Sequence, residues 1–180
     1  RSTLFPYTTL FRSSIKLIKM SDVTLICTTD DPVDTLEWHD MIKNDETFDV
    51  KVLPAWRPDK AHNIIKPEFA SYINQLSEVS GVKIDSFKAL KEALKVRHDY
   101  FEQKGCNVAD FALEYVMYKP VSDEKIEEIF AKKMNGGEVT YEEYLQYQTA
   151  FMLFEGEECA KRDWVIQLHF GCKRDNNTAM

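Results

Sequence analysis

The sequence predicts an α/β fold: a partial (β/α)8 TIM barrel of about four consecutive strand–helix units with long helical insertions. Three observations carry this. Short apolar runs alternate along the chain with longer stretches of helical period, the order that a parallel sheet requires. The runs are continuously apolar, as strands are when helices cover them. The 180 residues hold about four such units, whereas a closed eight-stranded barrel takes about 250 residues.

The first strand is Val23–Thr28 (VTLICT), a β-branched run that ends in the polar turn Thr28-Thr29-Asp30-Asp31-Pro32. Asp34 is placed to cap the next helix, with Glu37 as its capping-box partner, and that helix runs to about Asn44. Phe48–Ala55 (FDVKVLPA) reads as a second strand, ending in a polar turn at Arg57-Pro58-Asp59-Lys60. Pro67 suits a first helical position. From there Phe69, Tyr72, Ile73, Leu76 and Val79 form one apolar face, and Gly81 stops the helix. Ser86 caps a longer helix that carries Leu90, Leu94, Arg97 and Phe101 and ends at Gly105. Val108–Tyr118 contains a third strand-like stretch, where strand and helix periods are hard to separate. Ser122–Met134 is an amphipathic helix with Ile126, Ile129 and Phe130 inward, broken by Gly136-Gly137. Thr140 to about Arg162 is another long helix, and Trp164–Phe170 (WVIQLHF) is the fourth strand.

Composition narrows the function classes. With 44% apolar and 12% aromatic residues the chain is not mainly disordered. No apolar run reaches the roughly 18 residues of a membrane-spanning helix, so no membrane partner is expected. Lys plus Arg is 23 and Asp plus Glu is 30, a formal charge of -7. Such a surface argues against broad nucleic-acid binding. Cys27, Cys106, Cys159 and Cys172 match no zinc spacing. They read as reduced thiols, which predicts a cytoplasmic protein.

Two features concern the ends. Residues 1–13 (RSTLFPYTTLFRS) contain no acidic residue and no period that continues past Ser13. The stretch resembles a translated sequencing adaptor, so it is expected to be non-native, with residues 14–180 forming the domain. The chain opens on Arg1 and stops at Asn176-Asn177-Thr178-Ala179-Met180, after a strand-like segment. Both ends read as those of an internal fragment.

In parallel α/β folds the chemistry collects beyond the carboxyl ends of the strands. Past the first lie Thr28, Thr29, Asp30 and Asp31; past the second, Trp56, Arg57, Pro58, Asp59 and Lys60. Asp110 is near the third, and His169, Lys173 and Arg174 are at the fourth. Carboxylates, guanidinium groups and an imidazole from separate strands suit an anionic, hydroxyl-rich small molecule. Arginine pairs bidentately with carboxylates, and imidazoles can move protons near neutral pH. Each residue also has a plain structural reading. Asp30 and Asp31 before a proline are ordinary turn residues. Arg57 and Asp59 could form a local ion pair that shapes a loop, and His169 could be a core histidine. His39, His62 and His98 read as solvated or structural, and Glu124, Glu127 and Glu128 as a solvated helix face. Gly136-Gly137 lacks the context of a phosphate loop.

Three of these groups resemble the uronate isomerases, a divergent branch of the amidohydrolase superfamily. The first is Thr28-Thr29-Asp30-Asp31-Pro32 with Asp34, Leu36 and His39. The second is Val52-Leu53-Pro54, then Arg57-Pro58-Asp59-Lys60. The third is Gln167-Leu168-His169-Phe170-Gly171, then Arg174 and Asn176-Asn177. Gly105-Cys106 with Asp110 is a weaker fourth. The likeness runs from about Leu17 to Met180.

The resemblance implies a (β/α)8 barrel enzyme that interconverts D-glucuronate with D-fructuronate and D-galacturonate with D-tagaturonate. A proton moves between C2 and C1 through an enediol, with a second transfer between oxygens. It implies Arg57 and Arg174 as partners of the substrate carboxylate, His169 as a proton-transfer or contact residue, and Asp59, Asp30 and Thr29 as groups that orient them. It also implies a divalent metal, zinc, in the full-length protein. The family's metal-binding His-x-His lies upstream of this stretch and its last-strand Asp and Arg lie downstream, so no residue here is assigned to metal. A homo-oligomer is expected of the full-length protein, and the fragment alone is expected to be inactive. The family pattern Ser-Asp-His after Gly-Cys is replaced by Ala109-Asp110-Phe111, which puts the third strand's role in question. The alternatives are a metal-dependent hydrolase of the same superfamily, which should carry metal ligands on its middle strands, and a non-catalytic truncated chain.

Overall fold

The computed structural model describes residues 14–171. A short helix α1 (Ser14–Met20) leads into β1 (Leu25–Cys27), followed by α2 (Glu37–Lys43) and β2 (Lys51–Leu53). Then come α3 (Asp59–His62), α4 (Phe69–Ser80), α5 (Phe87–Gln103) and β3 (Val108–Ala112). Two long helices, α6 (Asp123–Met134) and α7 (Tyr141–Lys161), precede β4 (Val165–His169). The predicted strand–helix alternation is therefore present, with each strand inside its predicted run.

β1 pairs with β2 and β3 with β4, both in parallel. Trp56 joins the two pairs through single-residue parallel bridges to Asp30 on one side and Ala109 on the other. Its N–H donates to Val108 O at 3.0 Å and its carbonyl accepts from Asp110 N–H at 2.8 Å. The order is thus β1-β2-β3-β4, consecutive and parallel with helical crossovers, which is an arc of a β/α barrel.

The core lies between this arc and the helices. Side chains alternate across a strand, so Ala109 and Phe111, both fully buried, face the helices while Asp110 faces the other way. Trp56 shares the helix side and packs edge-on against Phe101 of α5, centroids 5.0 Å apart. Phe69, Phe87, Phe130, Tyr147 and Phe151 knit α4 to α7 beneath it. Gly105 turns the chain into β3 with φ +93°, and a Cβ there would lie 3.2 Å from Leu53 Cδ2. That position favours glycine for both conformation and space.

Several local expectations change. Asp34 does not cap α2, because its Oδ2 already accepts from Asp31 N–H at 2.9 Å. The N-cap is Leu36 in a left-handed conformation, φ 54°, with no side-chain cap. Burial of the Leu36 side chain, 3% exposed, offsets that backbone cost. Pro67 sits two residues before α4, which starts at Phe69. The predicted turn at Arg57–Lys60 runs into the one-turn helix α3. Glu127 is not merely solvated. Its carboxylate accepts from Phe87 N–H at 2.7 Å and Lys88 N–H at 2.8 Å, capping α5 from a neighbouring helix. Ser86 caps its helix as expected; Ser122 and Thr140, where the next two helices were expected to begin, also cap theirs, and Thr140 with Glu143 completes a capping box.

Candidate active site

Arg57 follows Trp56 and, by strand alternation, lies on the face opposite to it. Its Nε donates to Asp59 Oδ2 at 2.8 Å and its Nη1 to Asp110 Oδ2 at 3.3 Å. Asp59 opens α3, and its other oxygen accepts from Ala112 N–H at 3.3 Å. The guanidinium is thus clamped between the end of β2 and β3, and its Nη2 has no protein partner among the described residues. The second oxygen of Asp110 lies 3.4 Å from His169 Nδ1, an ion-pair distance outside hydrogen-bond geometry. His169 is half exposed at the end of β4, with its Nε2 against Gln167 Nε2. Asp110 and Gln167 are register partners, as are Ala112 and His169, so this face is shared.

Asp59, Arg57, Asp110 and His169 therefore form one polar chain across three strand ends. Charge alternates along it, with each carboxylate beside a cation or imidazole. A guanidinium with a free edge can take a carboxylate. An imidazole whose Nδ1 faces a carboxylate can exchange protons through its other nitrogen.

Asp30 falls elsewhere. Its backbone N–H donates to Ala55 O and its carbonyl accepts from Arg57 N–H, so it continues the β1–β2 ladder with Trp56 as its partner. That puts its side chain on the helix side with Trp56. Its Oδ2 accepts from Thr28 Oγ1 at 2.5 Å and from Ala55 N–H at 3.2 Å. Thr28 Oγ1 is 2.7 Å from His39 Nε2 on α2. Thr28 spends its one hydrogen on Asp30, so His39 donates to it from Nε2. This Asp30–Thr28–His39 cluster is separate from the Arg57 chain. It is also Thr28, not Thr29, that bonds Asp30. Thr29 is exposed and by alternation faces the Arg57 side. Arg174 lies outside the described residues.

The three histidines read as solvated or structural are all buried. His62 is 1% exposed, and burial pulls its imidazole down to about 3. His98, on α5, meets Glu155 of α7, Nε2 to Oε2 at 3.0 Å, and the same oxygen accepts from Trp56 Nε1–H at 3.0 Å. Sequence reading missed Glu155. Its signal was a carboxylate four residues from both Phe151 and Cys159, on the buried face of α7. The turn after β1 is also pinned from outside. Arg97 donates to the carbonyls of Pro32 and Asp34 at 2.6 and 2.8 Å, and Tyr72 OH to Asp31 Oδ1 at 2.8 Å. Phe111 settles one question of orientation: it points into the helix core, away from the Arg57 chain. A cavity of about 880 Å³ is lined by His39, Lys51, Gly105 and Asn107 among others and by none of Arg57, Asp59, Asp110 and His169.

For the implied metal, no three His, Cys, Asp or Glu side chains among the described residues come together. Asp110 and His169 are two donors, but Arg57 already neutralises Asp110. The described residues do not by themselves fit a metal ion.

Polar groups gathered at the carboxyl ends of adjacent parallel strands define a candidate site of the β/α-barrel class. A family model described as glucuronate isomerase matches residues 8–180. A uronate isomerase of Lachnospira eligens is 61% identical over 161 residues, covering 89% of this chain and 34% of its own. One of Endomicrobium trichonymphae is 58% identical, covering 92% and 36%. The crystal structure of the Thermotoga maritima uronate isomerase superposes with TM-score 0.84 at 34% identity, covering 91% and 36%. The Caulobacter crescentus glucuronate isomerase, 22% identical with TM-score 0.82, shares the fold. The chain belongs to the glucuronate isomerase family. It spans about a third of the length of the curated relatives it matches.

Proposed function

We propose that this chain supplies one wall of the active site of a hexuronate isomerase, acting on D-glucuronate and D-galacturonate. The observation that carries this is the Asp59–Arg57–Asp110–His169 chain on one face of the strand ends. Arg57 binds the uronate carboxylate through its free edge, with Asp59 fixing the guanidinium plane. Arg174 is a second carboxylate partner and Thr29 a hydroxyl contact. His169 transfers a proton between C2 and C1 as the enediol forms and collapses. Asp30 acts at one remove, bracing the end of β1 through Thr28 and Ala55. A divalent metal, zinc, belongs to the complete protein, held by residues outside this stretch. The complete protein is a cytoplasmic homo-oligomer that binds no nucleic acid; among the described residues no helix is long and apolar enough to cross a membrane.

The test is a hybrid in which this chain replaces the matching third of the Lachnospira eligens relative. Ketouronate formation is followed by a coupled reductase. Turnover of either uronate is expected, and a folded hybrid that turns over neither refutes the reading. Within the hybrid, Arg57→Met raises KM with a smaller effect on kcat, and His169→Asn mainly lowers kcat, by about 100-fold or more. Unchanged constants would remove the residue concerned from its role.

A further inference from the structure

Glu155 is a carboxylate in a place where charge is costly. It is fully buried on α7, as are His98 on α5 and Trp56 between β2 and β3. Both of its hydrogen bonds converge on Oε2, from Trp56 Nε1–H and His98 Nε2, each at 3.0 Å. Its Oε1 and His98 Nδ1 have no partner among the described residues. A buried carboxyl group with an unpaired oxygen is a poor stabiliser compared with an apolar packing of similar size. Such a group is better explained by what it positions.

What it holds is the seam of the sheet. Among the described residues the backbone ladders of the two strand pairs are joined only through the bridges of Trp56. Trp56 is adjacent in sequence to Arg57, and its carbonyl bonds the backbone N–H of Asp110. The two residues that pair across the candidate site at 3.3 Å are thus placed by the backbone of the residue whose indole Glu155 anchors. The indole ring also lies 4.0 Å, centroid to centroid, from the His98 ring, so α5 and α7 grip it together.

We infer that Glu155, with His98, is a positioning residue for the isomerase site: it anchors the Trp56 indole from behind the sheet and thereby sets Arg57 against Asp110 on the front. This rests on the isomerase reading above. The reacting atoms never touch Glu155, so its removal acts through Arg57, on substrate binding more than on turnover.

The experiment uses the same hybrid enzyme. Glu155→Leu leaves the indole N–H without an acceptor and is expected to raise KM for the uronate about tenfold, equal to about 1.4 kcal/mol, with kcat nearly unchanged. Glu155→Gln retains a carbonyl acceptor and restores KM to within about threefold of the parent. In the Arg57→Met background, Glu155→Leu adds no further rise in KM, because the group it acts through is gone. A Leu variant that lowers Tm but leaves KM alone overturns the inference, as does a KM effect fully additive with Arg57→Met. If the Leu variant does not fold, Trp56→Phe, which replaces the indole by a smaller phenyl ring without the N–H, takes its place in the cycle. A parent hybrid without turnover counts against the isomerase reading itself. Amide exchange then decides the anchoring: faster exchange at Trp56 and Asp110 in Glu155→Leu, or in Trp56→Phe where that variant does not fold, with β1–β2 unchanged, supports it, and unchanged exchange at both overturns it.

Discussion

β3 and β4 are paired over five residues in parallel register, yet they live in different surroundings. Phe111 is fully buried while its partner Leu168 is 37% exposed; Ala109 is fully buried while its partner Ile166 is 39% exposed. Both strands are apolar on the helix side. The difference is cover: the helix-side residues of β3 are buried in the core cluster between two neighbouring ladders, whereas no described helix or strand follows β4. Apolarity marks a strand as suited to burial, but the packing of a neighbouring element decides whether burial happens.

The first way to break this comparison is to look at the chain alone. Among the described residues, Ile166, Leu168 and Phe170 on one side of the strand and Val165 on the other are exposed apolar groups. The isolated 180-residue chain is expected to associate, and Ile166→Lys with Leu168→Lys to reduce the association. A monodisperse, cooperatively melting monomer on size exclusion and calorimetry would show that the edge needs no partner.

In the hybrid the two strands should converge. Phe111→Ala is expected to cost about 3–5 kcal/mol and Leu168→Ala about 2–5 kcal/mol, read by urea unfolding. A Leu168 cost below about 1 kcal/mol would mean that its half-exposed face is native surface.

The covered side carries a pH signature. Burial holds the His62 imidazole at about 3, well below its ordinary value near 6.5. Between those values the unfolded chain binds a proton that the folded chain does not. Stability therefore falls as pH drops from about 6.5 towards 3, by up to about 1.4 kcal/mol per unit, and this group contributes no slope above that window. His62→Gln should flatten the curve by that amount in unfolding experiments between about pH 4.5 and 8. An unchanged slope would place His62 in contact with solvent.

The smallest effect tests the cover itself. Thr140 caps α7, the longest described helix, in a capping box with Glu143. Lys132 and the Thr140 backbone hold the Glu143 carboxyl down at about 2. Thr140→Ala should cost about 1 kcal/mol. A loss measured by exchange at Phe111 but not at Leu168 would tie that cap to β3, whereas equal losses at both would blur the contrast.

Much of the architecture was legible because its signals are local. Ser86, Ser122 and Thr140 cap helices by side-chain chemistry within three residues, and Gly81 ends α4 by tolerating φ 70°. The Arg57–Asp59 pair was visible because the two residues are two apart. Asp34 misled because a cap residue has more than one nearby N–H to serve, and Asp31 claimed it. Glu127 misled because its partners at Phe87 and Lys88 are about forty residues away.

By itself the sequence determined which segments become strands and helices, which family they belong to, and which polar residues stand near the strand ends, because periodicity, caps and motif spacing act over a few residues. Only the tertiary structure decided on which face each polar residue works. Asp30 and Arg57 both follow strand ends. The bridge to Trp56 turns Asp30 towards the helices, while alternation turns Arg57 towards Asp110 and His169. Only the fold could bring Glu155 beneath Trp56 across 99 residues. The physical reason is that a side chain's face is set by its ladder partners, and those lie far away along the chain.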